Sequence, residues 1–298
     1  MKVDRPDPNL PRGVQALLFD AADRRRVAED AVVRVLRSAG LREVILPVLD
    51  YADPYEGVTA EGDDRLYRFL DREGETLSLR ADFTPMAARV VAPRLGDLAA
   101  PVSLFYRGDV VRDEETGVGR PREFAQVGAE RYGDGRFEAD EEMLRLLLTC
   151  VDVLPAGRLR LTLGHAGLLR KVIAAAAPGS AGPDGKRLDS LMRGARERRV
   201  TSLAKLLREH GASSPASAEI ADGLLRGFDP SSDLFRAAGV TVEAERLGRA
   251  VAVARAARAG LSVVVDLAAT PDAPYYTGLT FALDAAGAAG TVASGGRY

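Results

Sequence analysis

The chain has 298 residues, 46% hydrophobic and 28% charged, with a formal net charge of −2. That balance fits one large globular domain or two ordinary ones, and it excludes a low-hydrophobicity disordered chain and a globally basic nucleic-acid binder. Cys150 is the single cysteine, which excludes an internal disulfide and fits a reducing compartment, and no apolar run nears the roughly 20 residues a membrane span needs.

The opening MKVDRPDPNLPRG lacks the apolar core of a signal peptide, so a cytoplasmic protein is expected. Asp20 to Ala39 is predicted as an amphipathic helix, with Val27, Ala31, Val35 and Leu36 at helical spacing and Gly40 as its stop. Glu43 to Tyr51 reads as a short strand, and Pro47 inside it points to a sheet edge or an interface rather than a central strand. RLYRFLD and ETLSLRA flank a turn at Glu73 and Gly74 and predict a hairpin. Thr84 and Pro85 then open a helix to about Leu95.

Ser103 to Arg112 and Arg122 to Tyr132 are predicted as paired strands, followed by a helix from Glu138 to Val153 with Met143, Leu146, Leu147 and Cys150 on one stripe. Arg158 to His165 alternates like a strand. From 178 to 260 the pattern is short charged helices broken by glycine and proline, read as a helical insertion. Strand character returns at Leu261 to Ala268, Tyr275 to Asp284 and Gly290 to Tyr298. Residues 1–177 and 261–298 then form an α+β core around a mainly antiparallel sheet.

The common catalytic devices are missing. The chain has no phosphate loop ending in Gly-Lys-Ser/Thr and no Gly-x-Ser-x-Gly turn. His165 and His210, its two histidines, lack cysteine or carboxylate neighbours at metal-ligand spacing, so no metal and no cofactor are expected. Asp266 stands alone after VVV, and that segment reads as core strand rather than a phosphoribosyl-binding loop.

The stretch VVRDEETGVGRPREFAQVGAE, Val110 to Glu130, carries the chemistry. Arg122, Phe124, Gln126 and Glu130 share one strand face, while Ala125, Val127 and Ala129 share the other. An arginine can take a phosphate with two hydrogen bonds, and a phenylalanine offers a face to a base. An amide and a carboxylate can accept from an ammonium or imidazole group. An isolated hairpin of this kind could equally be a solvated face with incidental ion pairs.

Five blocks in one order weigh against that. FYRGDVVRDEETGVGRPREFAQVGAERYG resembles motif 2 of the class II aminoacyl-tRNA synthetases, and AGLREVILPVLDY resembles motif 1. LSLRADFTPMAAR is similar to the histidyl LRPEGT segment; YYTGLTFAL and SGGRY resemble the two late histidyl signatures. The resemblance implies a class II synthetase-like antiparallel sheet flanked by helices. It implies a histidine pocket of Asp82, Thr84, Gln126 and Glu130, with Tyr275 and Tyr276 at the imidazole end. Arg112, Glu114, Arg122 and Phe124 match nucleotide-binding positions.

Departures from the pattern change the implied function. The histidyl RGLDYY reads PDAPYY here, so Pro271 stands in place of the arginine that acts at the reacting carboxylate. Proline cannot stabilise developing negative charge. No motif 3-like segment and no anticodon-binding domain are recognised. The pattern is similar to the regulatory subunits of ATP phosphoribosyltransferase. It implies a non-catalytic chain that activates a short-form catalytic subunit and takes L-histidine as feedback effector. It also implies a homodimer through the motif 1-like region and no tRNA partner. A catalytic-domain fragment of a histidyl-tRNA synthetase, or of a related histidine-activating ligase, is the alternative.

Overall fold

The computed structural model describes residues 9–55, 65–113, 121–182, 185–269, 275–288 and 290–298. They group into two compact units, one chiefly within Met1–Ala156, the other made of Gly157–Pro271, Tyr275–Ala286 and Thr291–Tyr298.

The first unit runs α1 (Asp20–Ser38), β1 (Arg42–Glu43), β2 (Leu49–Tyr51), β3 (Arg68–Leu70), β4 (Thr76–Leu79), α2 (Thr84–Val91), β5 (Val102–Val111), β6 (Glu123–Tyr132) and α3 (Phe137–Asp152). Helix α1 ends as its sequence suggests, with Gly40 at a φ of 84° beyond the last turn. Its apolar face is rotated only in part from the predicted one, since Leu36 is buried and Val35 packs against the same cluster. Val27 is exposed, and Glu29, Val33 and Leu36 are buried. The reason is that Val33 and Leu36 meet Phe105 and Cys150 beneath the sheet, a contact that spacing alone does not reveal.

The segment predicted as a single strand from Glu43 to Tyr51 is broken at Pro47. Strand β1 pairs parallel to β5, and β2 pairs antiparallel to β4 in a separate sheet of order β2-β4-β3. Both pieces are edge strands, as the proline requires. The predicted hairpin is β3–β4, turned at Gly74 with a φ of 88°.

Strands β5 and β6 pair antiparallel from Val102–Tyr132 to Val111–Glu123 without a register break. Phe105, Val127 and Ala129 on one face pack with α1 and α3 residues, including Val33, Leu36 and Leu146. On the opposite face, Tyr106 and Val110 pack with Phe83, Met86 and Leu46. The hairpin is therefore covered on both sides, and its even-numbered side chains face α2.

The second unit contains β7 (Leu159–His165), α4 (Leu168–Ala176), α5 (Lys186–Arg196), α6 (Val200–Glu209), α7 (Ser214–Arg226), α8 (Asp233–Ala237), α9 (Thr241–Ala257), β8 (Ser262–Val265), β9 (Leu279–Ala285) and β10 (Thr291–Gly296). Its sheet has the order β10-β9-β7-β8, antiparallel except for the parallel β7–β8 pair. Helix α9 packs on β7 and β8. Among the described residues of 178–260 the regular structure is helical. The predicted strand from Tyr275 begins only at Leu279.

The edge of β8 is closed by the helical segment. The Phe228 amide donates to Val265 O at 2.8 Å. Gly227, with a φ of 104°, passes so close that a Cβ would lie 2.8 Å from the Val264 side chain. Asp266 follows β8 as a buried, fully engaged acid. It accepts from the amides of Ala268 and Ala269 at 3.0 and 3.2 Å and pairs with Arg198. Arg198 stands in the α5–α6 turn at a φ of 54°, and its guanidinium also donates to Leu224 O.

Candidate functional site

Two positions on the even face of β5–β6 carry no side chain, and neighbouring side chains lie directly against the backbone there. Gly128 stands opposite Tyr106 in the ladder, and a Cβ there would meet the tyrosine ring at 2.5 Å. Gly108 stands opposite Gln126, and a Cβ there would lie 2.9 Å from Arg80 Nη2 and 3.1 Å from Phe83. Tyr106 lies flat over Gly128 and stacks on Phe83, with ring centres 4.3 Å apart and planes 13° from parallel.

Thr84 and Glu130 meet on this face. The Thr84 hydroxyl donates to Glu130 Oε1 at 2.8 Å, and the Tyr106 hydroxyl donates to the same oxygen at 3.1 Å. Glu130 is only 7% exposed, so these donors offset part of the cost of burying a carboxylate. Burial, then the nearby charges of Glu130 and Asp82, push the Tyr106 phenol well above its ordinary value, so it stays a donor. Asp82 Oδ1 accepts from the Thr84 amide at 3.3 Å. Gln126 Oε1 is buried with no hydrogen-bond partner among the described residues. A lone buried carbonyl oxygen is an acceptor waiting for a donor.

The structure thus links Asp82, Thr84 and Glu130 by hydrogen bonds within the first unit, and Gln126 lies on the same face of β6 as Glu130. Tyr275 and Tyr276 belong to the second. Their ring centres are 4.7 Å apart, and Tyr298 meets Tyr275 edge-on at 5.9 Å. Gly296 leaves room for Tyr276, since a Cβ there would lie 3.0 Å from its ring.

Of the four predicted nucleotide positions, Arg112 and Phe124 are partners. The guanidinium lies 5.1 Å from the ring centre, and its Nε donates to Ala81 O at 3.0 Å. Arg122 turns toward Asp113, 3.5 Å away, and lies over Tyr67. Glu114 and Pro271 fall outside the described residues.

Sequence reasoning missed Arg80 and Tyr106. The Arg80 guanidinium is buried and bonds to backbone carbonyls: Leu46 O and Pro47 O at 2.8 Å each, and Asp109 O at 2.7 and 3.2 Å. It also lies 3.9 Å from the Phe83 ring centre. Burial lowers its affinity for a proton, yet a guanidinium remains charged near neutrality. The available signal was the alternation in LSLRA, which places Ser78 and Arg80 on one strand face; both are buried. Tyr106 left no such signal, because its role depends on the bare Gly128 across the ladder.

The histidyl-tRNA synthetase family model matches residues 13–298. An ATP phosphoribosyltransferase regulatory subunit of Chromobacterium violaceum is 32% identical, over 97% of this chain and 75% of that one. The chain belongs to the histidyl-tRNA synthetase family, among the ATP phosphoribosyltransferase regulatory subunits. A solved structure from Bacillus halodurans, described as an ATP phosphoribosyltransferase regulatory subunit/histidyl-tRNA synthetase, superposes with a TM-score of 0.80 at 25% identity, covering 97% of this chain and 75% of that one. A chain of the Thermotoga maritima ATP phosphoribosyl transferase (HisG:HisZ) complex shares the fold, with a TM-score of 0.67 at 19% identity, covering 94% of this chain and 93% of that one. The α+β class II synthetase-like fold predicted for this family is the fold observed. Among the described residues no helix is long and apolar enough to cross a membrane.

Proposed function

We propose that this chain is a non-catalytic, histidine-binding regulatory subunit that joins a short-form ATP phosphoribosyltransferase catalytic subunit, activates it and lets histidine suppress it. The observation that carries the histidine site is the convergence of four acceptors, Asp82, Thr84, Gln126 and Glu130, on one sheltered sheet face. The Thr84 hydroxyl has spent its proton on Glu130, so toward a ligand it can only accept. Gln126 Oε1 is buried and has no hydrogen-bond partner among the described residues. Acceptors of this kind match an α-ammonium and an imidazole N–H.

The relatives' shared description as regulatory subunits supports the partner, and Pro271 supports the loss of adenylate chemistry. Homodimerisation is supported by one face of the β2-β4-β3 sheet, where Leu49, Tyr51 and Phe69 are exposed beside Leu77 and Leu79; Ile45 and Val48 are exposed nearby. Within this reading 178–260 is an insertion and no tRNA is bound. Feedback requires that histidine bind one state of the assembly more tightly than the other.

The test is to mix the purified chain with its catalytic partner and follow phosphoribosyl-ATP formation. Turnover should rise on mixing and fall when histidine is added. No change in either rate refutes the proposal. A second reading, amino-acid activation, is favoured by the retained stacking of Arg112 on Phe124. Histidine-dependent exchange of pyrophosphate into ATP would establish it.

A further inference from the structure

The hydroxyls of Tyr106 and Thr84 stand 3.5 Å apart, and both give their proton to Glu130 Oε1. Each hydroxyl has a single proton and gives it to the carboxyl, and such hydrogen bonds are stronger to an ionised Glu130 than to a neutral one. The Tyr106 ring has little freedom to leave. Phe83 stacks on it, the backbone of Gly128 lies against it, and it is 3% exposed. Phe83 is itself fixed by the Arg80 guanidinium.

We propose that Tyr106 is the positioning residue of this site: its phenol holds Glu130 in one orientation and in its ionised form, and so sets the acid limit of ligand binding. Among the described residues, the charged groups acting on the Tyr106 phenol are Glu130 on β6 and Asp82 before α2, and Arg80 lies beyond the Phe83 ring. Asp82 is an acid, so its field favours protonating Glu130, whereas the two hydroxyls oppose it. Removing one donor should let the carboxyl take a proton at higher pH, and a protonated carboxyl is a weaker partner for a cationic or N–H donor ligand. The ligand clause rests on the histidine reading above; the Tyr106–Glu130 link does not.

Tyr106→Phe keeps the ring over Gly128 and removes only the hydroxyl. The whole chain would be labelled with 13C at the glutamate carboxyl, and the Glu130 resonance assigned by its loss in Glu130→Gln. In the unliganded protein the Glu130 titration midpoint should rise by about one pH unit in Tyr106→Phe. Thr84→Val, which removes the other donor, should move it in the same direction. At the acid end of the profile, histidine affinity should fall on the order of tenfold in Tyr106→Phe and converge with wild type as pH rises. The ligand's own titration is common to both proteins and cancels in the comparison.

A merely structural tyrosine would lower the melting temperature and leave the midpoint in place, and that result overturns the proposal. If the midpoint moves but wild type binds no histidine, Tyr106 keeps its role and the histidine reading fails. If wild type binds histidine and the Tyr106→Phe profile is unchanged, the histidine reading stands and the proposal fails.

Discussion

Tyr106 and Gly128 face each other across the β5–β6 ladder, and the tyrosine ring occupies the space a side chain at 128 would need. The glycine is therefore part of the site without offering it any atom. Gly128→Ala puts a Cβ 2.5 Å from a ring pinned on its other side by Phe83. The expected cost is about 1–3 kcal/mol, the range for overpacking a filled interior. Urea denaturation measures it, and histidine binding should weaken in parallel because Tyr106 must move off Glu130. A variant as stable as wild type would show that the ring has somewhere to go.

Arg80 joins segments far apart in the chain. Its fork ties the carbonyls at the Leu46–Pro47 break to that of Asp109 on β5. Arg80→Met fills similar space but leaves those carbonyls without a donor. Each buried polar group so stranded costs about 1–3 kcal/mol, so a loss of about 3 kcal/mol or more in thermal or chemical denaturation is expected. Arg80→Lys should retain part of it, because an ammonium can reach one or two carbonyls but lacks the planar fork. Equal stability in both variants would mean that the retained charge contributes nothing and that the planar fork is what the position needs.

Glu130 is where structure changes the test that sequence suggests. From the strand pattern alone, reversing its charge should abolish histidine binding and leave folding intact. The side chain is buried between two hydroxyls, so a lysine there would be an unpaired buried cation and would threaten the fold. Glu130→Gln keeps the shape and removes the charge. We expect at least a tenfold loss of histidine affinity with a folded protein, read by calorimetric titration. Unchanged affinity would rule out Glu130 as a ligand group.

Much of the site was legible because strand alternation is strict. Gln126 and Glu130 had to share a face, and Val127 and Ala129 had to share the other, so the packed and open sides of β6 were predictable. The break at Pro47 was half legible: proline marked an edge, but not that the two halves join different sheets. The partial rotation of the buried face of α1 was not legible, because which helical stripe is buried depends on the partner surface under it. Arg198 and Asp266 are 68 residues apart, and no local pattern links them.

That pair makes a separable prediction. Arg198 adopts the left-handed region, where glycine is at ease and other residues are strained. Arg198→Ala removes the partner of a buried carboxylate and leaves the strain. Arg198→Gly removes both. Both variants should be destabilised, with glycine less so by about 1 kcal/mol. If alanine is the more stable of the two, the backbone conformation of that turn is not what the φ of 54° implies.

His165 sets a pH dependence of known sign. It is buried at the end of β7, and burial lowers its affinity for a proton, opposed more weakly by its contact with Ala166 O and by Glu243. In the folded state it therefore protonates at lower pH than in the unfolded chain, where a histidine titrates near 6.5. Between those two values the unfolded chain holds the extra proton, so stability must fall as pH drops below about 6.5. Glu243 is bound to Lys171 and titrates below its ordinary value, so it adds a loss of the same sign only in the more acid carboxylate range. Wild type should lose stability between pH 7.5 and 5.5 in urea denaturation, and His165→Asn should lose distinctly less over that interval. Equal slopes in the two proteins would show that His165 titrates alike in both states and that its burial carries no such cost.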